Sequence, residues 1–365
     1  MFVKLSKKHL LIFSISLLFA LSSFSFLASS AAVSSSTIKV VKTIAVGFFP
    51  NRVALNFINH DLYVANLNSG SVSVIDTTSN KVIRTISVPN PYGEYYNPAG
   101  QNVYSLASSP NVVYVIGSDN KIKAVIKLSQ SPTGFGFSPA NNEIYVSSAG
   151  GGVVFVINAF TNKVLRELSI NTPGGNPVYN PVTHDMYVAD SVDNAVKVIN
   201  SGDKIISSLL VGSDPEHVFF DPANNEIYVG NVLGSSVTVI SAKNTVVTTI
   251  PTGSRPYQVG YNARNLDMYV VGDLTNSVTV ISPNNVVVKT LGAGGSPQVP
   301  AYDQANGALY IPNNADGTVS IIGMNNKILA TIPIGVNPAE SLFVPTNNEV
   351  YILNQGSGSV SVLSS

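Results

Sequence analysis

The amino-acid sequence predicts an all-β fold, a single β-propeller of eight four-stranded blades in which an N-terminal strand completes the last blade. Three observations predict it. A tyrosine recurs at Tyr63, Tyr104, Tyr145, Tyr187, Tyr228, Tyr269, Tyr310 and Tyr351, always 41 residues apart except for 42 between Tyr145 and Tyr187. Apolar β-branched residues alternate with Ser or Thr inside the copies, as in Ser71-Val72-Ser73-Val74 and Ser236-Val237-Thr238-Val239. The eighth copy stops at Ser365 after its third strand, while residues 39–46 repeat the character of the fourth strand at 81–88.

A repeat of about 40 residues carrying four strands is the signature of a propeller blade, because a lone sheet cannot bury its apolar faces and stacked blades can. The first copy shows the four runs, Arg52–Phe57, Leu62–Asn66, Ser71–Asp76 and Lys81–Val88, separated by Asn-, Ser- and Gly-containing turns. A proline stands thirteen residues before each tyrosine, at Pro50, Pro91, Pro132, Pro215, Pro256, Pro297 and Pro338, with Pro173 fourteen before. The extra residue of the fourth copy therefore falls between Pro173 and Tyr187, and Gly174–Gly175 is the expected place. Pairing residues 39–46 with 359–363 would close the ring and remove the longest bare sheet edge.

The N-terminus reads as an export leader over residues 1–32. Lys4, Lys7 and Lys8 precede an apolar run from Leu10 to Leu27, and Ala28, Ser29, Ser30, Ala31 and Ala32 follow. The alternative is a retained anchor, since Leu10–Ala28 is long enough to cross a bilayer of roughly 30 Å. Residues 33–365 form the propeller, and no later segment is expected to span a membrane. The expected setting is secreted or extracellular, with association to the cell surface.

Lys and Arg total 20 and so do Asp and Glu. Removing the three leader lysines leaves 17 against 20, a balance without the basic excess that nucleic acids require. Charged residues make up only 11% of the chain, so Ser, Thr, Asn and Gly supply most of its polar surface. There is no Cys, so packing and ring closure must hold the fold without disulfides or thiolate metal sites.

The segments Leu62-Tyr63-Val64-Ala65-Asn66 and Ile227-Tyr228-Val229-Gly230-Asn231, each followed by a Ser-Val-Ser/Thr-Val-Ile strand, resemble the YVTN-repeat propellers over about residues 38–365. The resemblance implies an extracellular or surface-layer-associated protein of archaea or bacteria, and it specifies fold better than chemistry. Several such propellers have seven blades, so eight is a departure that rests on the spacing of this chain.

In a propeller the first strand of each blade lines the axial channel, and the two residues after each repeated proline stand at its mouth. Copies two to four place Tyr92/Gly93, Thr133/Gly134 and Gly174/Gly175 there, whereas other copies place Arg52, Glu216, His217, Tyr257, Gln258 and Glu340. These six are the candidate binding residues. His217 with Glu216, Arg52 and Glu340 has the makings of an acid/base or oxyanion-binding set, and the neighbouring copies of Arg52 and Glu340 also suit a plain ion pair.

His60 and His184 fall three before the tyrosine, where other copies have Asn142, Asn225 and Asn348, and read as turn residues on the opposite face. Two before the tyrosine stand Asp61, Glu143, Asp185, Glu226, Asp267 and Glu349, which read as turn acids too far apart to share a cation. No metal site, cofactor or catalytic residue is expected: histidines lack ligand spacing, and phosphate-loop, Ser-elbow and EF-hand patterns are missing. Asn-x-Ser/Thr sequons are missing too, which weakens a glycosylated-lattice reading.

The leading expectation is a non-catalytic binding scaffold for an extracellular protein, glycan or cell-envelope polymer. The alternatives are a lactonase- or lyase-like enzyme at the channel mouth and a structural subunit of a lattice or filament.

Overall fold

The computed structural model describes residues 38–364 apart from 149 and 254, so the leader expected over residues 1–32 lies outside the described residues. Eight four-stranded antiparallel sheets form the eight blades of a propeller. The final sheet joins the two ends of the chain: Lys39–Ala45 pairs with Ser359–Ser364, from Lys39 opposite Ser364 to Ala45 opposite Ser359. Among the described residues no helix is long and apolar enough to cross a membrane.

The core lies between blades. Tyr187, Ala189, Val196 and Val198 of the fourth blade pack against Val218, Ile227, Val229 and Ile240 of the fifth. At the closure, Ile44 joins Val53, Leu62, Val64 and Ile75 of the first blade and Val344, Tyr351, Leu353 and Val360 of the last. The terminal strand is therefore part of an apolar layer as well as a hydrogen-bonded edge.

The first strand of blade one runs over Pro50–Leu55, two residues earlier than the periodicity predicts. Proline at the start of a strand costs no ladder donor, so the strand can begin on it. A β-bulge follows this proline in blades one, two, three, five and six, where Pro50 and Arg52, for example, face the consecutive residues Asn66 and Ala65. In blade four the irregularity widens to the stretch between Gly174 and Val178, which absorbs the extra residue. Blade seven keeps only Ala301–Tyr302 as a first strand. Pro300 cannot donate to the ladder there, and Val299 bridges in parallel to Glu340 of blade eight instead.

The repeated tyrosine explains the ring. All eight side chains are fully buried, and a buried hydroxyl needs a partner. The partner comes from the turn between the third and fourth strands of the next blade: Tyr63 to Asn120, Tyr104 to Asn162, Tyr187 to Asn244, Tyr228 to Asn285, Tyr269 to Asn326 and, across the closure, Tyr351 to Asn80. Each of these asparagines has a left-handed backbone, with φ from 53° to 61°, a conformation that Asn tolerates better than most residues. One residue thus makes the turn and latches the neighbour.

The turn acids complete the latch. The amide of Asn120 donates to Asp61 at 3.1 Å, Asn285 to Glu226 at 2.8 Å, Asn326 to Asp267 at 2.8 Å and Asn80 to Glu349 at 2.9 Å. These carboxylates are spent between blades. His60 and His184 occupy the left-handed turn position with φ of 59° and 61°, alongside Asn142, Asn225 and Asn348.

Two substitutions show how tightly the repeat is coupled. Between blades three and four the latch residue is Asp203, which accepts from the Tyr145 hydroxyl at 2.6 Å and meets Arg166 at 3.0 Å. Burial and the neighbouring Asp203 push the carboxyl of Glu143 up to about 7. In the second case, the asparagine ending the second strand clamps the third strand, as Asn66 does Ser73 at 2.9 Å and Asn354 does Ser361 at 2.9 Å. In blade four these positions hold Asp190 and Lys197, an ion pair of 3.4 Å. An acid and a base have replaced an amide and a hydroxyl together.

Loss of the latch should cost stability only where the latch exists. Tyr63→Phe leaves Asn120 short of a partner and should destabilise by about 1–2 kcal/mol. Tyr310, which accepts from Asn306 of its own blade at 3.1 Å, meets no such turn of the next blade among the described residues, so Tyr310→Phe should cost about half as much. Denaturant melts of the two variants decide it, and equal losses would count against the latch.

Acid should stabilise the fold. Burial raises Asp221 to about 6 and lifts Glu94 well above the usual carboxyl range, as it does Glu143. These groups bind protons more tightly folded than unfolded, so their stabilisation is complete below about pH 4 and is lost as pH rises through 6 to 7. His217, lowered to about 4, opposes them between its ordinary 6.5 and 4. Three carboxyls outweigh one imidazole, and the unfolding temperature should be higher at pH 5.5 than at pH 7.5. The reverse order in calorimetry would refute this balance.

Candidate functional site

The bulges after the repeated prolines build the site. An extra residue in one strand bends the strand and re-aims the side chains beside it, so successive residues such as Glu216 and His217 both reach the axial cavity. The cavity has a volume of about 280 Å³ and draws its lining from six blades: Arg52, then Tyr92 and Tyr95, Thr133, the stretch from Thr172 to Asn176 with Ser191, Glu216 and His217, and Tyr257 and Gln258. Only at the axis can so many blades meet around one small space.

Five of the six sequence candidates, Arg52, Glu216, His217, Tyr257 and Gln258, therefore share this cavity. Glu340 does not line it. It stands beside Arg52, with Oε2 at 3.7 Å from Nη1, a distance that makes an ion pair but is too long for a hydrogen bond. Burial lowers the proton affinity of Arg52, and the carboxylate of Glu340 together with Tyr95, Tyr257 and Tyr92 more than offsets this, so the guanidinium stays charged. Burial pushes Glu340 up while Arg52 pulls against it.

His217 carries the opposite signature. Burial and, after it, the charge of Arg52 lower its pKa to about 4, so the imidazole is neutral at physiological pH. Its ring lies edge-on to Tyr257 with centroids 4.7 Å apart, and its Nε2 is buried without a hydrogen-bond partner. Glu216 Oε2 is 3.7 Å from that nitrogen, again beyond hydrogen-bonding distance. Burial, then the charge of Asp214, raises the Glu216 carboxyl.

Tyr95 and Asn176 are among the lining residues that the sequence candidates missed. Tyr95 stacks on Phe135 at 5.0 Å and 12° and donates to Asn176 Oδ1 at 2.9 Å, which also accepts from the Phe135 amide at 3.1 Å. Tyr95 lies four residues after its proline and Asn176 three after, outside the two-residue window that the repeat suggests. The glycines of blades three and four also have a positive role. A Cβ at Gly134 would stand 2.0 Å from the Gly175 carbonyl oxygen, and one at Gly175 would stand 2.3 Å from that of Glu216. Backbone packing against backbone at the axis admits no side chain there.

No family model matches the chain, and no curated protein sequence matches it. Solved structures do. A streptogramin B lyase structure aligns with a TM-score of 0.62 and 9% identity, covering 91% of this chain and 99% of the other. A catalytically inactive virginiamycin B lyase from Staphylococcus aureus, with quinupristin, aligns at 0.61 with 13% identity, over 90% and 99%. Hydrazine synthase from Kuenenia stuttgartiensis aligns at 0.60 with 17% identity, over 87% and 96%. What they share with this chain is the propeller fold. At such identities chemistry does not transfer with it.

The protonation of His217 can be read directly. Its imidazole resonances should titrate near pH 4, and in Arg52→Gln the midpoint should move up, because the nearby cation is gone. A midpoint near 6.5 in the unaltered protein would show that the ring is solvated and free of Arg52.

Proposed function

We propose that this chain is an exported propeller whose channel mouth captures an anionic group without converting it. The group would be presented by an extracellular protein, glycan or cell-envelope polymer, or by a small molecule. The observation that carries this reading is the cavity itself, where Arg52 is the only cation among the lining residues and holds its own carboxylate at no better than 3.7 Å. A guanidinium has five donors in a planar fork suited to carboxylates, and the tyrosines around it supply apolar walls with polar tips. The neutral His217 adds an unused ring nitrogen. Export is supported by the basic, apolar and small-residue succession at the N-terminus.

A lyase-type reaction is the second reading. It is favoured by one observation, a neutral imidazole beside a fixed guanidinium, which is the arrangement for removing a proton while negative charge develops nearby; lyases also stand among the structures of similar fold. Against it, no group of three or more potential metal ligands occurs among the described residues, and Glu216 is the only carboxylate lining the cavity.

Binding and turnover separate in one experiment. Hexanoate, a minimal carboxylate, should bind the unaltered protein in calorimetry and be recovered unchanged. Binding should vanish in the triple variant Arg52→Ala, His217→Ala, Tyr257→Ala and persist in Asp61→Asn, Asp185→Asn, Glu226→Gln on the opposite face. The reverse pattern would move the working face to the other side of the ring.

A further inference from the structure

The turn between the second and third strands opens on the mouth face, one strand further from the axis than the cavity. Its position five residues after the repeated tyrosine holds Asn68, Ser109, Gly150, Val192, Leu233, Leu274, Ala315 and Gly356. The turn itself therefore requires no large apolar side chain. Yet three consecutive blades, the fourth to the sixth, place one there, and Val192, Leu233 and Leu274 are exposed by 65%, 74% and 64%. Single exposed aliphatics are ordinary, whereas a set grouped beside a pocket marks a binding surface.

These three blades are also the ones that supply Ser191, Glu216, His217 and Tyr257 to the cavity. The turns are held in place by the loops that lead into it. The Ser191 amide donates to the carbonyl of Thr172 at 3.1 Å, Val232 to Asp214 at 2.9 Å, Gly234 to Ser213 at 3.1 Å and Asp273 to Arg255 at 3.3 Å. The aliphatic side chains are thus presented on fixed backbone, so binding does not have to order the turns themselves.

We propose that the mouth binds an amphiphilic monocarboxylate, with its carboxylate on Arg52 and its aliphatic body across Val192, Leu233 and Leu274. The proposal rests on the capture of an anion at the mouth and adds what carries that anion. One cation in the cavity calls for one negative charge, and the aliphatic sector lies on the same face of the ring, outside the lining of the cavity.

Calorimetry with hexanoate, decanoate and decyltrimethylammonium, all below their aggregation concentrations, tests it. Decanoate should bind at least tenfold more tightly than hexanoate, a gain that the double variant Leu233→Asn, Leu274→Asn should abolish while hexanoate binding stays unchanged. Arg52→Gln should lose both acids, and the cationic amphiphile should not bind. Equal affinity for the two acids would overturn this inference and leave anion capture standing, whereas failure to bind either acid would remove both. Tight binding of decyltrimethylammonium would show non-specific adsorption, and conversion of a dimer to a monomer by the double variant in sedimentation would show that a second copy covers the sector. Either result defeats the proposal.

Discussion

The structure depends on a buried hydroxyl that, in seven of the eight blades, is latched by the next blade. Each repeated tyrosine is swallowed by the interface between two blades, and its oxygen must find a partner or carry a desolvation penalty of about 1–3 kcal/mol. For all but Tyr310 the partner is a turn residue of the next blade, itself locked in a left-handed conformation that few side chains accept. Correct curvature of the ring, correct turn geometry and satisfaction of the tyrosine are therefore one condition. Hydrophobic packing between blades is stronger in sum, but it is non-directional. The latch supplies the direction.

Much of this was legible because repetition makes the constraint visible. The tyrosine spacing, the alternating Ser-Val strands and the interrupted last copy led to eight blades and to the pairing of the terminal strand, and the register of Lys39 to Ala45 on Ser359 to Ser364 agrees. The place of the extra residue was legible for the same reason. What the repeat could not convey was contact between repeats. Nothing in a single copy says that Asn120 belongs to Tyr63, 57 residues away, or that the acids before the tyrosines are occupied by those same turn amides.

The mouth was legible in outline for a different reason. The prolines mark where each first strand begins, so the residues that follow them were candidates by position, and the bulges bring Arg52, Glu216, His217, Tyr257 and Gln258 to one cavity. Glu340 makes the ion pair with Arg52 that their neighbouring copies suggested but stands outside the cavity lining, where Val299 of blade seven, whose first strand is cut short at Pro300, bridges to it. The glycines of blades three and four looked like empty positions in the sequence. They are the residues that allow adjacent first strands to approach until a Cβ would collide with backbone oxygen.

Asymmetry in a ring of near-identical copies has two sources, and the structure separates them. Where one member of a contacting pair changes, its partner changes with it, as Asp190 does with Lys197; that pair restores an interaction that other blades make with neutral groups. The mouth lacks this compensation. His217 keeps a buried nitrogen without a hydrogen-bond partner, and Arg52 faces its only carboxylate across 3.7 Å. A buried polar atom left unsatisfied is costly to the fold. At the mouth that cost falls beside a cavity where six blades converge, so there, unlike inside a blade, a ligand can reach the atom and relieve it.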